Sequence, residues 1–315
     1  MTGPIRLGTR GSALARTQSQ TVADSLAVAS GRPVELVIIK TVGDVTAGPL
    51  ASMPQPGVFV SALRTALLDG DVDVVVHSMK DLPSEPADGI ALAAVPPRAD
   101  PHDALVSANR GDLDALPNGA RVGTSSPRRA ARLRSIRPDL AIEDLRGNVD
   151  SRIAKVRDGQ LDATILAVAG LTRLGRADEI DAIIDMGTML AAPAQGALAV
   201  ECRSHDVEMV RALSALDDTA TRVTTTAERA VLSAVGATCA SAVGAHASWV
   251  DGRLTLVADV SGRAVDQHVI VASDVVLDAS GPSAVESARQ LGGEVGRQLL
   301  DAGAGAFITP ESAGA

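Results

Sequence analysis

The chain writes one pattern twice. "RLGTRGSALAR" from residue 6 and "RVGTSSPRRAAR" from residue 121 each run through Arg, an apolar residue, Gly and Thr into a helix start. A strand that delivers the chain to a helix, used twice, is a faint internal repeat that suggests two similar α/β domains with a cleft between them. The flanking segments agree. After the first copy come a helix over "SALARTQSQTVADSLAVA", a strand "VELVIIK", a loop through "TVGDVTAGPLASMPQPG", a helix "VFVSALRTALLDG" and a strand "VDVVVHS". After the second come a helix "PRRAARLRSI", a strand "AIEDLRG", a helix "NVDSRIAKVRDG" and a strand "DATILAVAG". Alternating strands and helices predict parallel or mixed sheets covered on both faces.

Beyond about residue 217 the texture changes. A helix "TAERAVLSAV" leads through "GATCAS" to "HASWVDGRLTLVADV", where Asp251-Gly252 is a hairpin signal. A further strand, "HVIVASDVVLD", and a long amphipathic helix, "SAVESARQLGGEVGRQLLDAG", complete a small α+β domain. The predicted division is 1–96 with 197–216, then 97–196, then 217–315.

Composition removes several function classes. Apolar residues make up 46%, but Phe59, Trp249 and Phe307 are the only aromatic ones, so the core is aliphatic. That scarcity leaves no stacking platform for single-stranded nucleic acid, and a net charge of -9 disfavours a phosphate-tracking surface. The N-terminus lacks the basic-then-apolar pattern of an export signal, and no run is long enough to span a membrane, so a cytoplasmic protein without membrane or nucleic-acid partners is expected. Two cysteines, Cys202 and Cys239, are too few for a disulfide framework and lack zinc spacing. No metal cluster, P-loop or dinucleotide fingerprint appears.

Against this acidic background, Arg128, Arg129, Arg132 and Arg134 crowd one helix start. Ser126 reads as its N-cap and Pro127 as its first residue, so Arg128 and Arg129 sit where the helix dipole is already positive. The arrangement makes sense if a small anion binds there. Other basic residues recur where strands give way to loops or helices: Arg10, Lys80, Arg146 and Arg173, with Arg152 following Arg146 into its helix. In open α/β sheets such positions line the ligand crevice, and a guanidinium fork grips a carboxylate with two bonds. Singly, each is better read as a solvated charge; together they point to a polyanion site.

Asp81 emerges with His77, Ser78 and Lys80 at the end of "VDVVVHSMKDLP". A carboxylate among cations can handle protons or balance a cation, or Asp81 can be a turn cap before Pro83. His77 reads as a structural histidine. Cys239, in a loop of small residues, is accessible to chemistry, whereas Cys202 in the strand-like "LAVECR" reads as buried and inert.

Seven motifs, "RLGTRGSALA", "VVVHSMKDLP", "VGTSSPRRAARL", "LRGNVDSRI", "ILAVAGLTRLG", "APAQGALAVECR" and "TAERAVLSAVGATC", resemble in order and spacing those of the porphobilinogen deaminase (hydroxymethylbilane synthase) family. The resemblance implies two periplasmic-binding-protein-like α/β domains with a cleft between them, plus the small C-terminal domain. It implies a monomeric transferase of tetrapyrrole (porphyrin and haem) biosynthesis that joins four porphobilinogen units head to tail with loss of ammonia. By the same resemblance, Asp81 is the catalytic aspartate and Cys239 carries a dipyrromethane cofactor through a thioether. It also implies that Ser78, Lys80, Thr124, Ser126, Arg128, Arg129, Arg146 and Gly147 hold cofactor, and that Arg10, Ser12, Arg152, Arg173 and Gln195 hold substrate.

Two departures from the family pattern stand out. Many relatives carry a lysine before the "LF" or "VF" of a loop where this chain has "MPQPGVF", and a "GGC" followed by a proline is replaced by Ala237, Thr238 and Ala242 around Cys239. A non-catalytic binder of a carboxylate-rich small molecule is the rival reading; it would need neither Cys239 nor Asp81.

Overall fold

The structure is a computed structural model that describes residues 3–40, 58–237, 241–262, 264, 266–277 and 282–308. The chain divides into two compact units, residues 1–99 with 197–222, and residues 100–196 with 223–315.

In the first unit, strands β1 (Ile5–Thr9), β2 (Val34–Ile38), β3 (Val74–Ser78), β4 (Ile90–Ala94) and β10 (Leu198–Arg203) form one sheet in the order β2-β1-β3-β10-β4. β1 is parallel to β2 and β3, while β10 runs antiparallel between β3 and β4. The run of valines in β3 divides between the faces. Val74 and Val76 join Ile5, Leu7 and Val200 against Val22 and Leu26 of helix α1 (Ala13–Ser30). Val75 turns to the other face with Leu63 and Leu67 of helix α2 (Val58–Leu68). Both faces are thereby removed from water, as the unbroken apolar run requires.

The second unit repeats the plan. β5 (Asp103–Ser107), β6 (Arg121–Gly123), β7 (Ala141–Glu143), β8 (Ala163–Ala167) and β9 (Ala182–Ile184) are ordered β7-β6-β8-β5-β9, with β6 parallel to β7 and β8, and β5 antiparallel between β8 and β9. Leu105 and Ile165 pack on Leu133 of helix α3 (Pro127–Ile136). Ala104, Val106 and Leu166 pack on Ile153 of α4 (Val149–Arg157) and Leu171 of α5 (Val168–Arg173). The two sheets share one topology, so the sequence repeat is a structural one.

The same unit holds an antiparallel sheet of β11 (Val243–Val250), β12 (Arg253–Ser261) and β13 (His268–Val276). Asp251 and Gly252 turn β11 into β12 with φ of 49° and 77°, the left-handed pair that an Asp-Gly hairpin adopts. One face packs its aliphatic side chains on α7 (Thr219–Ala234) and α8 (Pro282–Leu299), which follow α6 (Val207–Ser214) in the chain. Among the described residues, no helix is long and apolar enough to cross a membrane.

Candidate functional site

Each sheet brings its chemistry to the carboxyl ends of its parallel strands, and each is built the same way. In the first unit, β1 ends at Thr9 and the chain passes Arg10 to Ser12, whose Oγ accepts the Ala15 amide at 3.3 Å as the N-cap of α1. β3, the parallel neighbour of β1, ends at Ser78, so its exit lies at the same edge. Ser78 Oγ is held by the Gln18 side-chain amide, which donates to it at 3.1 Å. A single 3-10 turn, Met79–Asp81, follows; the Met79 amide anchors it on the Ala197 carbonyl at 3.0 Å. Lys80 and Asp81 are exposed on that turn, while His77 is buried one residue inside the strand end.

His77 is buried, as its strand context suggests, but its Nε2 has no hydrogen bond of regular geometry among the described residues. Its Nε2 lies 3.3 Å from Glu201 on β10, and Arg64 of α2 reaches the same carboxylate. The nearby imidazole and the Arg64 fork hold the Glu201 carboxyl down at about 2 against the cost of its burial. Cys202, the next residue, is fully buried, and desolvation pushes its thiol up to about 11.

In the second unit, β6 delivers the chain to Thr124 and Ser126. Ser126 Oγ accepts the Arg129 amide at 3.4 Å, and Thr124 Oγ1 accepts the Ser126 amide at 3.2 Å. β7, parallel to β6, leads to Arg146 and Gly147 at the same edge. Gly147 has φ 117°, and a Cβ there would meet Ser151 Oγ at 2.2 Å, so the turn requires glycine. The Gly147 carbonyl accepts a bond from Arg152 Nε at 2.8 Å. Burial, then the charge of Arg129, with a smaller push from Arg146, lowers the Arg152 guanidinium from its ordinary value. Arg173, at the end of α5, donates to the Gly196 carbonyl at 2.6 Å, and burial lowers its guanidinium too.

Arg128 and Arg129 do not project their forks outward as their place at the helix start suggests. Both are buried, and between them lies Asp103, a carboxylate with no exposed surface. Its Oδ2 accepts Arg128 Nη2 at 2.7 Å and its Oδ1 accepts Arg129 Nη2 at 2.6 Å. The remaining terminal nitrogens donate to backbone, Arg128 Nη1 to the Leu190 carbonyl and Arg129 Nη1 to that of Ile165 at 2.9 Å. Gln195 is also buried; its amide donates to Asp103 Oδ1 and to the Pro101 carbonyl, each at 2.8 Å. The two arginines hold the Asp103 carboxyl far below the usual carboxylate range although burial opposes this. Arg128 Nε and Arg129 Nε are buried with no hydrogen-bond partner among the described residues. Two such donors beside Arg152 suit a ligand that brings carboxylates.

Sequence reasoning missed Asp103, Glu201 and Glu228. The signal was an acidic residue inside an apolar strand or helix pattern, "DALVS", "LAVECR" and "AERAVL". Glu228 is fully buried and accepts the amides of Ala194 at 2.6 Å and Ala247 at 2.8 Å. Cys239, Thr238 and the loop from Met53 to Gly57 lie outside the described residues.

The sequence family described as "Porphobilinogen deaminase, dipyromethane cofactor binding domain" matches residues 5–211. The chain is similar to proteins named porphobilinogen deaminase from Nocardia farcinica (strain IFM 10152), 49% identical over 96% of this chain and 87% of that one, and from Thermobifida fusca (strain YX), 46% identical over 99% and 98%. One from Mycobacterium tuberculosis (strain ATCC 25177 / H37Ra) is 47% identical over 95% of this chain and 97% of its own length. By the extent of these matches, the chain belongs to the porphobilinogen deaminase family.

Proposed function

We propose that Asp81 is the catalytic carboxylate of this chain, that Cys239 carries its dipyrromethane cofactor, and that the arginines at the strand ends hold the carboxylates of cofactor and substrate. The reaction is the family's: porphobilinogen units are joined head to tail with loss of ammonia to give hydroxymethylbilane, for tetrapyrrole biosynthesis. The observation that carries the residue assignment is the pair of buried Nε donors on Arg128 and Arg129 that have no hydrogen-bond partner among the described residues, near Arg152, whose guanidinium is lowered by burial and then by the charge of Arg129. That donor set fits a cofactor whose pyrroles bear acetate and propionate groups.

When bound, the dipyrromethane supplies an electron-rich pyrrole carbon as the nucleophile for the first addition. The protein therefore has to bind, orient and manage charge. Arg10, Ser12, Arg152 and Arg173 are assigned to the incoming substrate, whereas Gln195 is buried with its amide on Asp103 and the Pro101 carbonyl. Ser78, Lys80, Thr124, Ser126, Arg128, Arg129, Arg146 and Gly147 are assigned to the cofactor. Asp81, exposed on its turn, balances the cation left on the substrate methylene as ammonia departs, then takes the proton displaced by the new carbon–carbon bond. Residues 217–315 are read as a third domain that presents Cys239, and the enzyme as a cytoplasmic monomer.

Intact mass and peptide mapping of the purified chain test this. The expected result is a two-pyrrole adduct on Cys239. Active enzyme with unmodified Cys239, or with the adduct on Cys202, refutes the assignment, and a chain that binds porphobilinogen without any adduct or turnover favours the non-catalytic binder.

A further inference from the structure

Asp103 is fully buried between Arg128 and Arg129. Each of its oxygens takes one Nη2, at 2.7 and 2.6 Å, and Gln195 adds a third bond at 2.8 Å. With the Leu190 and Ile165 carbonyls on the Nη1 atoms, both terminal nitrogens of each fork are tied to the protein. Among the described residues, the part of each guanidinium without a hydrogen-bond partner is its Nε–H, and both of these are buried. Asp103 also changes the charge of the corner. Two guanidiniums sharing one carboxylate carry a single net positive charge, and Arg129 still depresses Arg152 nearby.

Resting on the function proposed above, we propose that Asp103 is a positioning residue for cofactor capture: it clamps Arg128 and Arg129 so that each presents its Nε–H edge to one ligand carboxylate, and it limits the charge that the cofactor must neutralise. Without it, two buried guanidiniums would repel each other and turn toward water, losing the presented edge. Gln195 supports the clamp, since its amide ties Asp103 Oδ1 to the Pro101 carbonyl. This gives a buried role to a residue that the family resemblance assigns to substrate.

The test uses the full chain with Asp103→Asn, which keeps the shape but offers one arginine an N–H where it had an acceptor. Intact mass reads the fraction of chain bearing the pyrrole adduct, melting reads the fold, and steady-state kinetics separate KM from kcat in the loaded fraction. The adduct-bearing fraction should fall by about 10- to 100-fold, by analogy with groups that orient the ligands of a metal. In the loaded remainder KM should rise more than kcat falls. Asp103→Asn/Arg128→Gln restores the charge balance and should recover the melting temperature while adduct loading stays low. An Asp103→Asn chain loaded like wild type with unchanged KM overturns the inference. So does a double variant that recovers neither property, since that is fold damage alone, or both, since that is charge balance without positioning. If the wild-type chain carries no adduct, the functional reading itself fails; a loaded wild type beside an equally loaded Asp103→Asn fails this inference only.

Discussion

Arg64 grips Glu201 with both ends of its fork, Nε to Oε2 at 3.0 Å and Nη2 to Oε1 at 2.6 Å, and so fastens α2 to the middle of a sheet whose β10 lies far along the chain. Both side chains are largely buried, so neither charge tolerates loss of the other. Glu201→Gln should destabilise the first unit by about 3–5 kcal/mol at neutral pH, because it leaves Arg64 buried without its counter-ion. The folded carboxyl is held at about 2, below its ordinary value of 4.5. Its stabilisation is therefore complete above about pH 4.5 and disappears as pH falls toward 2. Melting curves of wild type and variant should differ by a constant amount from pH 7 to 5 and converge in stronger acid. A gap that persists unchanged at pH 2 would contradict the ion pair.

Asp81→Asn should leave melting within about 0.5 kcal/mol of wild type, since the residue is exposed on its turn. Turnover should fall by roughly 100- to 1000-fold, the loss expected when one preorganised electrostatic partner of a developing charge is removed. Adduct loading, read by mass, should persist. More than about a third of wild-type turnover would be incompatible with the assigned role.

Arg173→Gln should change how far elongation proceeds. If Arg10, Lys80, Arg128, Arg129, Arg146, Arg152 and Arg173 bind carboxylates as proposed, Asp103 offsets one of their charges through its pairs with Arg128 and Arg129. Each added pyrrole brings an acetate and a propionate, so late additions meet growing repulsion. Removing Arg173 should make shorter enzyme-bound intermediates accumulate under limiting substrate, more so at low salt. Intact mass resolves these species. A wild-type distribution at both low and high salt would show that charge does not limit the chain.

Cys202 should resist alkylation in the folded protein near pH 8. Burial holds its thiol near 11 and denies access, so labelling should require unfolding. Peptide mapping after a timed pulse of iodoacetamide, with and without denaturant, checks this; rapid native labelling of Cys202 would mean that β10 opens.

The legible parts of the fold are those encoded locally. Ser126 and Pro127 place the start of α3, Asp251-Gly252 places the β11–β12 turn, and the paired motifs announce two sheets of one design. Arg10, Lys80 and Arg146 follow strand ends as alternation predicts, whereas Arg173 ends a helix. The buried partners were illegible for a physical reason: Asp103 meets Arg128 across 25 positions and Gln195 across 92, and Arg64 meets Glu201 across 137. No period or cap links such residues. "PRR" reads as an exposed anion trap until the carboxylate between its arginines is in place, because propensity fixes where a guanidinium starts and not which way it turns.

The placement of β10 in the first sheet has a consequence for biogenesis. On a ribosome, β1 to β4 emerge first, yet the strand that must separate β3 from β4 is encoded only at Leu198–Arg203, after all five strands of the second sheet, the last of which ends at Ile184. The strands of the second sheet are all present while the backbone groups of β3 that pair with β10 are still without their partner. Vectorial synthesis therefore delays completion of the first sheet until every strand of the second has been made, and a β3 without its β10 neighbour is an unpaired edge in the interval.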